Sequence, residues 1–377
     1  MSFVRRTWAE IDIAALKSNF EYIKKCAGNS EIMAVVKTDA YGHSTDITVP
    51  VLDKAGASHF AVSNIDEAVQ LREIGIHKPI LILGYTPVSE AETLAQNDIT
   101  QAVFSLDYAK MLSENAQKCG KSVKIYIKLD TGMGRIGFDC RDESLPEIED
   151  AIKASRLPNL ETVGVFMHFA VSDRDISSED GFTDRQYSLF CTAKKRLSDA
   201  GINVVSACCN SAAILNDKKK NTGICRPGII LYGLSPDNNT ARYPELIPVM
   251  TLKTVVSHIK TLKCGETVSY GRTFKADRDM KVATLTAGYG DGYPRLLSNK
   301  GYVFINGKKA PIIGRVCMDQ MIINADGLDI KIGDEAELFG KNVSVSELAG
   351  MIGTINYELV CDVNKRVPRI PINGEKI

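Results

Sequence analysis

The sequence has no excess charge of either sign: 377 residues carry 46 basic and 46 acidic side chains, for a formal net charge of zero. That balance lacks the electrostatic footprint of a nucleic-acid binder or a polybasic membrane binder. No uninterrupted apolar stretch reaches the ~18 residues that a membrane-spanning helix needs. The segment Met1–Glu10 contains Arg5 and Arg6 but no apolar core of a secretory signal. Among ten cysteines there is no Cys-x-x-Cys pair and no framework spacing, so free thiols in a reducing cytoplasm are expected. Five histidines show neither His-Glu-x-x-His nor a Cys/His cluster, which argues against a metal site. Low-complexity segments and repeats with a period of about 20–50 residues are also missing.

What is present is an ordinary globular profile, 44% apolar and 24% charged. The length suits a (β/α)8 barrel of about 250 residues with a smaller second domain. Short apolar runs recur at Ile32–Val36, Phe60–Val62, Pro79–Leu83, Ala102–Phe104, Val123–Leu129, Val163–Phe169, Val204–Cys209 and Ile224–Tyr232. Alternation of such runs with amphipathic segments is the pattern of a closed parallel barrel. One intervening helix is marked by Ile65, Val69 and Ile74, with Ser63-x-x-Asp66 in capping-box spacing and Gly75 as its stop. Near residue 240 the texture changes. Tyr243–Pro248 reads as a linker, and Asn306-Gly307 and Asp326-Gly327 are hairpin signals. The expected fold is α/β: a barrel over 1–240 and a mostly antiparallel β domain over 241–377.

Barrels do their chemistry at the C-terminal ends of their strands. Lys37 ends the first run, where a desolvated amine could form an imine with an aldehyde cofactor, although taken alone it reads first as a solvated strand-end lysine. Tyr41 reads as a packing aromatic or as a phosphate donor. Gly132, Gly134 and Gly137 form a literal Gly-x-Gly-x-x-Gly, but Phe138–Pro146 is too polar and broken to be the helix that a dinucleotide site needs. The glycines read instead as shaping a loop that either aims Arg135 at a carboxylate or leaves it a surface arginine in a turn. His168, at the end of the sixth run, is a core histidine or a tuner of proton transfer. Asn210 and Ser211 follow the seventh run. Arg226, Gly228 and Ile229 lie in the eighth; Ser211, Gly228 and Ile229 suit the phosphate that barrels commonly hold there, and Arg226 could reach a heterocycle nitrogen, or each could be structural.

As a set, these residues resemble the fold-type III, pyridoxal-phosphate-dependent alanine racemases. The matching motifs are Ala34-Val-Val-Lys-Thr-Asp-Ala-Tyr-Gly-His43, Lys128-Leu-Asp-Thr-Gly-Met-Gly-Arg-Ile-Gly137, Met167-His-Phe-Ala170, Asn210-Ser-Ala-Ala213, Arg226-Pro-Gly-Ile-Ile-Leu-Tyr-Gly233, Val268-Ser-Tyr-Gly271, Gly288-Tyr-Gly-Asp-Gly-Tyr293, Gly314-Arg-Val-Cys-Met-Asp-Gln320 and Ile355-Asn-Tyr-Glu358. They run in family order from Trp8-Ala-Glu10 to Arg366-Val-Pro-Arg369.

The resemblance implies a head-to-tail homodimer with active sites shared between one subunit's barrel and the other's β domain. Lys37 would carry pyridoxal 5'-phosphate and act as one base. Tyr41, Ser211, Gly228, Ile229 and Tyr357 would hold the phosphate, with Leu83, Arg135, His168, Asn210 and Arg226 also around the cofactor. Tyr270, from the partner, would be the second base. Met318 would give its backbone N–H to the substrate carboxylate, which Arg135 would also contact. Lys128 matches a position that is carbamylated in part of the family. The implied activity interconverts L- and D-alanine for peptidoglycan.

Two departures bear on the Arg226–His168–Tyr270 chain and on substrate preference. Ala207 stands where many members have a histidine supporting the arginine, and Met167 replaces a more usual threonine. Two alternatives belong beside the main reading: a serine racemase of the vancomycin-resistance type, and a non-catalytic pyridoxal-phosphate carrier. Tyr357 favours alanine, since a phenol there crowds a hydroxymethyl group. The second domain, with Tyr270 and Cys317-Met-Asp-Gln320, favours an enzyme over a carrier.

Overall fold

Each apolar run of the first two thirds supplies a strand of one parallel sheet. The computed structural model describes residues 6–173 and 181–374. By contacts the chain divides into one unit of Phe20–Ala40 with Val49–Leu231, and another of Met1–Asn19, Tyr41–Thr48 and Tyr232–Ile377.

In the first unit the strands lie in the order Ile224–Cys225, Glu31–Val35, His59–Val62, Ile80–Ile82, Ile99–Val103, Val123–Asp130, Leu160–Phe166 and Val205–Ala207. Neighbours along this order are parallel. The Arg226 N–H donates to the Cys209 carbonyl at 2.9 Å across the remaining seam, which gives a nearly closed eight-stranded barrel. Ile80–Ile82 and Ile99–Val103 are buried along their whole length, as strands covered on both faces must be. The helix Leu106–Lys118 shows how the outer layer is specified. Ser105 caps it by accepting from the Tyr108 N–H, and Tyr108, Ala109, Leu112, Ser113 and Ala116 make its buried face.

Two sequence expectations about the barrel are corrected. The helix Ile65–Glu73 is capped by Asn64, not Ser63: Asn64 Oδ1 accepts the Glu67 N–H at 2.9 Å. Glu67 then turns its carboxylate outward to accept the Ser63 N–H at 2.8 Å and the Thr38 N–H at 2.7 Å. The run Ile224–Tyr232 is not one strand. Pairing stops at Cys225, Pro227 has no N–H for a ladder, and Ile229–Tyr232 winds into a 3-10 turn.

The second unit is built on the strand Met250–Leu262, which pairs antiparallel with Thr7–Asp12, Met280–Leu285 and Glu335–Phe339. Thr7–Asp12, with Trp8 and Ile11 buried, also pairs in parallel with Arg369–Ile372. The sequence pattern had no counterpart for this N-terminal strand. Asn306-Gly307 forms the expected hairpin tip, with φ of 45° and 80°, between Tyr302–Ile305 and Lys308–Pro311. Asp326-Gly327 does not join paired strands; the Asp326 carboxylate anchors the turn by accepting the Lys281 N–H at 2.7 Å. No described helix is long and apolar enough to cross a membrane.

Candidate active site

The barrel's first strand ends at Val35, and the chain then makes a left-handed turn. Thr38, Asp39, Ala40 and Tyr41 have φ of 56°, 51°, 54° and 53°. Such a conformation costs L-residues about 1–2 kcal/mol each. Its start is held by Glu67 on the Thr38 N–H, and half-buried Lys37 stands at its head. The eighth strand end is stitched alongside, with the Val35 N–H donating to the Pro227 carbonyl at 2.9 Å. Gly228 and Ile229 therefore emerge at the same end of the barrel as Lys37. The Gly228 N–H donates to buried Ser211 Oγ at 2.9 Å. Asn210 caps the next short helix by accepting the Ala213 N–H, and Leu83 is tied to the neighbouring strand through the Val62 carbonyl.

Arg226 is the buried centre of this end. Its Nη1 donates to the Ala207 carbonyl at 2.5 Å and its Nη2 to the Met167 carbonyl at 2.7 Å. Both sequence departures thus support the arginine through backbone oxygens, whatever their side chains. Arg226 Nη2 also lies 3.4 Å from His168 Nδ1. A guanidinium can only donate, so Nδ1 accepts and a neutral imidazole carries its proton on Nε2. Burial, then the positive charges of Arg226, Arg135, Lys128 and Lys37, hold the His168 pKa well below its ordinary value. Among the described residues, Arg226 Nε makes no hydrogen bond.

The glycine-rich loop does not open a helix. Asp130 Oδ1 accepts the N–H groups of Gly132 and Gly134, and the chain returns to pair Phe138 beside Leu129. A Cβ at Gly137 would stand 2.7 Å from the Asp130 nitrogen, so glycine is required for this close approach. The loop leaves Arg135 exposed. Lys128, in the strand beneath, is buried and donates to the Leu129 carbonyl at 2.6 Å. Burial chiefly brings its pKa down to about 7; Asp130 opposes this, while Arg226 and Arg135 reinforce it. Lys37, Lys128, Arg135, His168 and Arg226 make this end suited to a phosphate and a carboxylate.

In the second unit, Tyr41 packs against Tyr232 and Tyr357, with ring centroids 5.2 and 6.1 Å away. Burial, and secondarily Cys361, pushes its phenol pKa up, so it remains an O–H donor. His43 Nδ1 lies 2.8 Å from the Tyr41 carbonyl. Tyr270 and Met318 are 68% and 52% exposed, in contrast to the buried barrel groups.

The model of the alanine racemase N-terminal domain matches residues 11–236, and that of the C-terminal domain matches 249–371. The chain belongs to the alanine racemase family. It is 45% identical to an alanine racemase of Clostridium novyi over 99% of this chain and 97% of that protein. A solved alanine racemase of Clostridium difficile 630 superposes with a TM-score of 0.91 at 36% identity, covering 99% of this chain and 97% of that one. An alanine racemase of Bartonella henselae, solved with covalently bound pyridoxal phosphate, gives a TM-score of 0.87 at 30% identity over 98% and 100% of the two chains. For an alanine racemase chain, sequence reasoning overlooked three supporting residues: Asp130, Glu67 and His43. Asp130 and Glu67 act by accepting backbone N–H groups in loops, and His43 by its contact with a backbone carbonyl. Of the three, only Asp130, two residues before the first loop glycine, had a readable signal.

Proposed function

We propose that this protein interconverts L- and D-alanine as a pyridoxal-phosphate-dependent homodimer. It would act in the cytoplasm and supply D-alanine for peptidoglycan. The observation that carries the reading is Arg226: Nη1 and Nη2 are committed to carbonyls and His168, while Nε makes no hydrogen bond among the described residues, at the barrel end where Lys37 emerges. An amine, a buried guanidinium N–H, a small hydroxyl and a glycine amide fit a pyridine aldehyde phosphate. When bound, that cofactor supplies a sink for the electron pair left at the substrate α-carbon. Lys37 would carry it, Arg226 would donate to its ring nitrogen, and Ser211, Gly228, Ile229, Tyr41 and Tyr357 would take its phosphate. Leu83 and Asn210 would line the site.

Racemisation needs a proton removed from one face and delivered to the other. Lys37 Nζ would serve one face and Tyr270 Oη, from the partner protomer, the other. A tyrosine has an ordinary pKa of about 10, so it needs help to act as a base at neutral pH. Neutral His168, accepting from Arg226 on Nδ1, would present Nε2–H to that phenolate oxygen and extend the arginine's charge towards it. Arg135 and the Met318 N–H would bind the substrate carboxylate. Carbamylation of Lys128 would place a negative charge to orient Arg135, and an amine titrating near 7 is available in its neutral, nucleophilic form.

The test is turnover of L-alanine, D-alanine and L-serine by purified protein with added cofactor. Equal kcat/KM ratios for the two alanine enantiomers and slower serine turnover are expected. Lys37→Ala should lose both racemisation and the cofactor's visible absorbance. Absence of racemisation in the cofactor-saturated parent, or a preference for serine, overturns the reading.

A further inference from the structure

The turn that carries Met318 is held by a buried carboxylate far along the sequence. Asp291 is fully buried. Its side chain accepts from Arg6 Nη1 at 2.7 Å, from Arg366 Nε at 2.9 Å and from the Gly288 N–H at 3.0 Å. Each guanidinium reaches onward to the same turn. Arg366 Nη2 donates to Asp319 Oδ1 at 2.7 Å and lies 3.5 Å from the Met318 carbonyl, while Arg6 Nη2 donates to the Asp319 carbonyl at 3.2 Å.

The backbone completes the arrangement. The Tyr289 N–H donates to the Cys317 carbonyl at 3.0 Å and the Gly290 N–H to the Met318 carbonyl at 2.8 Å; the Cys317 N–H closes the turn on the Gln320 carbonyl at 2.9 Å. The close approach requires glycine at Gly288, where a Cβ would lie 2.2 Å from the Cys317 oxygen; one at Gly290 would lie 3.0 Å from the Met318 oxygen. Because a peptide unit is planar and trans, pinning the Cys317 C=O also fixes the opposite direction of the Met318 N–H. That N–H makes no hydrogen bond among the described residues, and Met318 itself is exposed.

We propose that Asp291 and Arg366, acting through the ribbon Gly288–Gly290, are positioning residues that aim the Met318 backbone N–H at the substrate carboxylate. This rests on the reading above, in which one protomer offers Met318 to substrate held in its partner. The clamp acts on binding in ground state and transition state alike, so its loss should appear in KM and leave kcat.

Arg366 is the residue to change, since its side chain is 40% exposed and Arg6 remains on Asp291. In the holoenzyme, Arg366→Met is expected to raise KM for both alanine enantiomers about tenfold with kcat changed less than about threefold, and Arg366→Lys to recover most of it. Amide exchange at Tyr289 and Gly290 should accelerate about tenfold in Arg366→Met, while the strand Met280–Leu285 keeps its protection. An unchanged KM, or unchanged exchange at these two amides, overturns the proposal. If the parent does not racemise alanine, the functional reading fails by itself and the exchange arm still decides the clamp.

Discussion

A buried amine beside two guanidinium groups sets the residue-scale behaviour of the barrel end. The folded pKa of Lys128, about 7, lies below the ~10.4 of an unfolded lysine. Between those values the unfolded chain holds more protons, so the contribution of this group to stability rises with pH. Its burden is full below pH 7 and lifts towards pH 10. In carbonate-free buffer, Lys128→Met should therefore raise the melting temperature most on the acid side, with a gain that fades near pH 10; a gain independent of pH contradicts the shift. With bicarbonate present, intact-mass measurement near neutrality should find one added carbon dioxide, lost on acidification and absent from Lys128→Met. Arg226 makes the complementary case. Arg226→Met would leave the Met167 carbonyl unmet in the interior and the Ala207 carbonyl with only the Met167 N–H at 3.3 Å, a loss of about 1–3 kcal/mol by chemical denaturation. It would also release His168 from its nearest cation, so the imidazole should titrate at higher pH by NMR.

At the scale of elements, the left-handed turn after the first barrel strand is a store of strain. Thr38 is β-branched, exposed and at φ 56°, a backbone region that such residues avoid. Glycine adopts it without steric cost, so Thr38→Gly should stabilise the apoprotein by about 1 kcal/mol, read as a melting temperature higher by about 2 °C. A lower melting temperature would show that the turn holds no strain at this residue. Nothing in Lys-Thr-Asp-Ala-Tyr announces a left-handed path; the Glu67 carboxylate on the Thr38 N–H, from another helix, supports it. By contrast, the helix Ile65–Glu73 was legible to its Gly75 stop because its periodicity and cap are local. The cap was misplaced by one residue because Ser63 and Asn64 are both good caps, and it is Asn64 Oδ1 that accepts the Glu67 N–H. The eighth strand was overread for another reason: apolar residues mark burial, and Pro227, not hydropathy, ends the ladder.

On the scale of the whole molecule, the parallel barrel was legible from its alternating runs, and Lys37, His168 and Arg226 from their place at strand ends. The pairing of Thr7–Asp12 with Met250–Leu262 was not, because a pairing over that separation leaves no local pattern. Roles for Tyr270 and Met318 came only from the resemblance. Both side chains are exposed on a protein with zero net charge, so a partner that covers them must be selected by shape and local groups. A shared-site homodimer makes this testable without a structure of the dimer. Lys37→Ala and Tyr270→Ala should each be inactive as homodimers. When the two are mixed equally and subunits exchange, about half of the dimers become mixed, by random pairing around a two-fold axis. In each mixed dimer one site receives Lys37 from one chain and Tyr270 from the other, while the second site has neither. Activity should therefore return to about a quarter of the parent's, and rise only as fast as subunits exchange. If each chain's Lys37 works with its own Tyr270, the mixture stays inactive however long it is incubated, and the site is not shared.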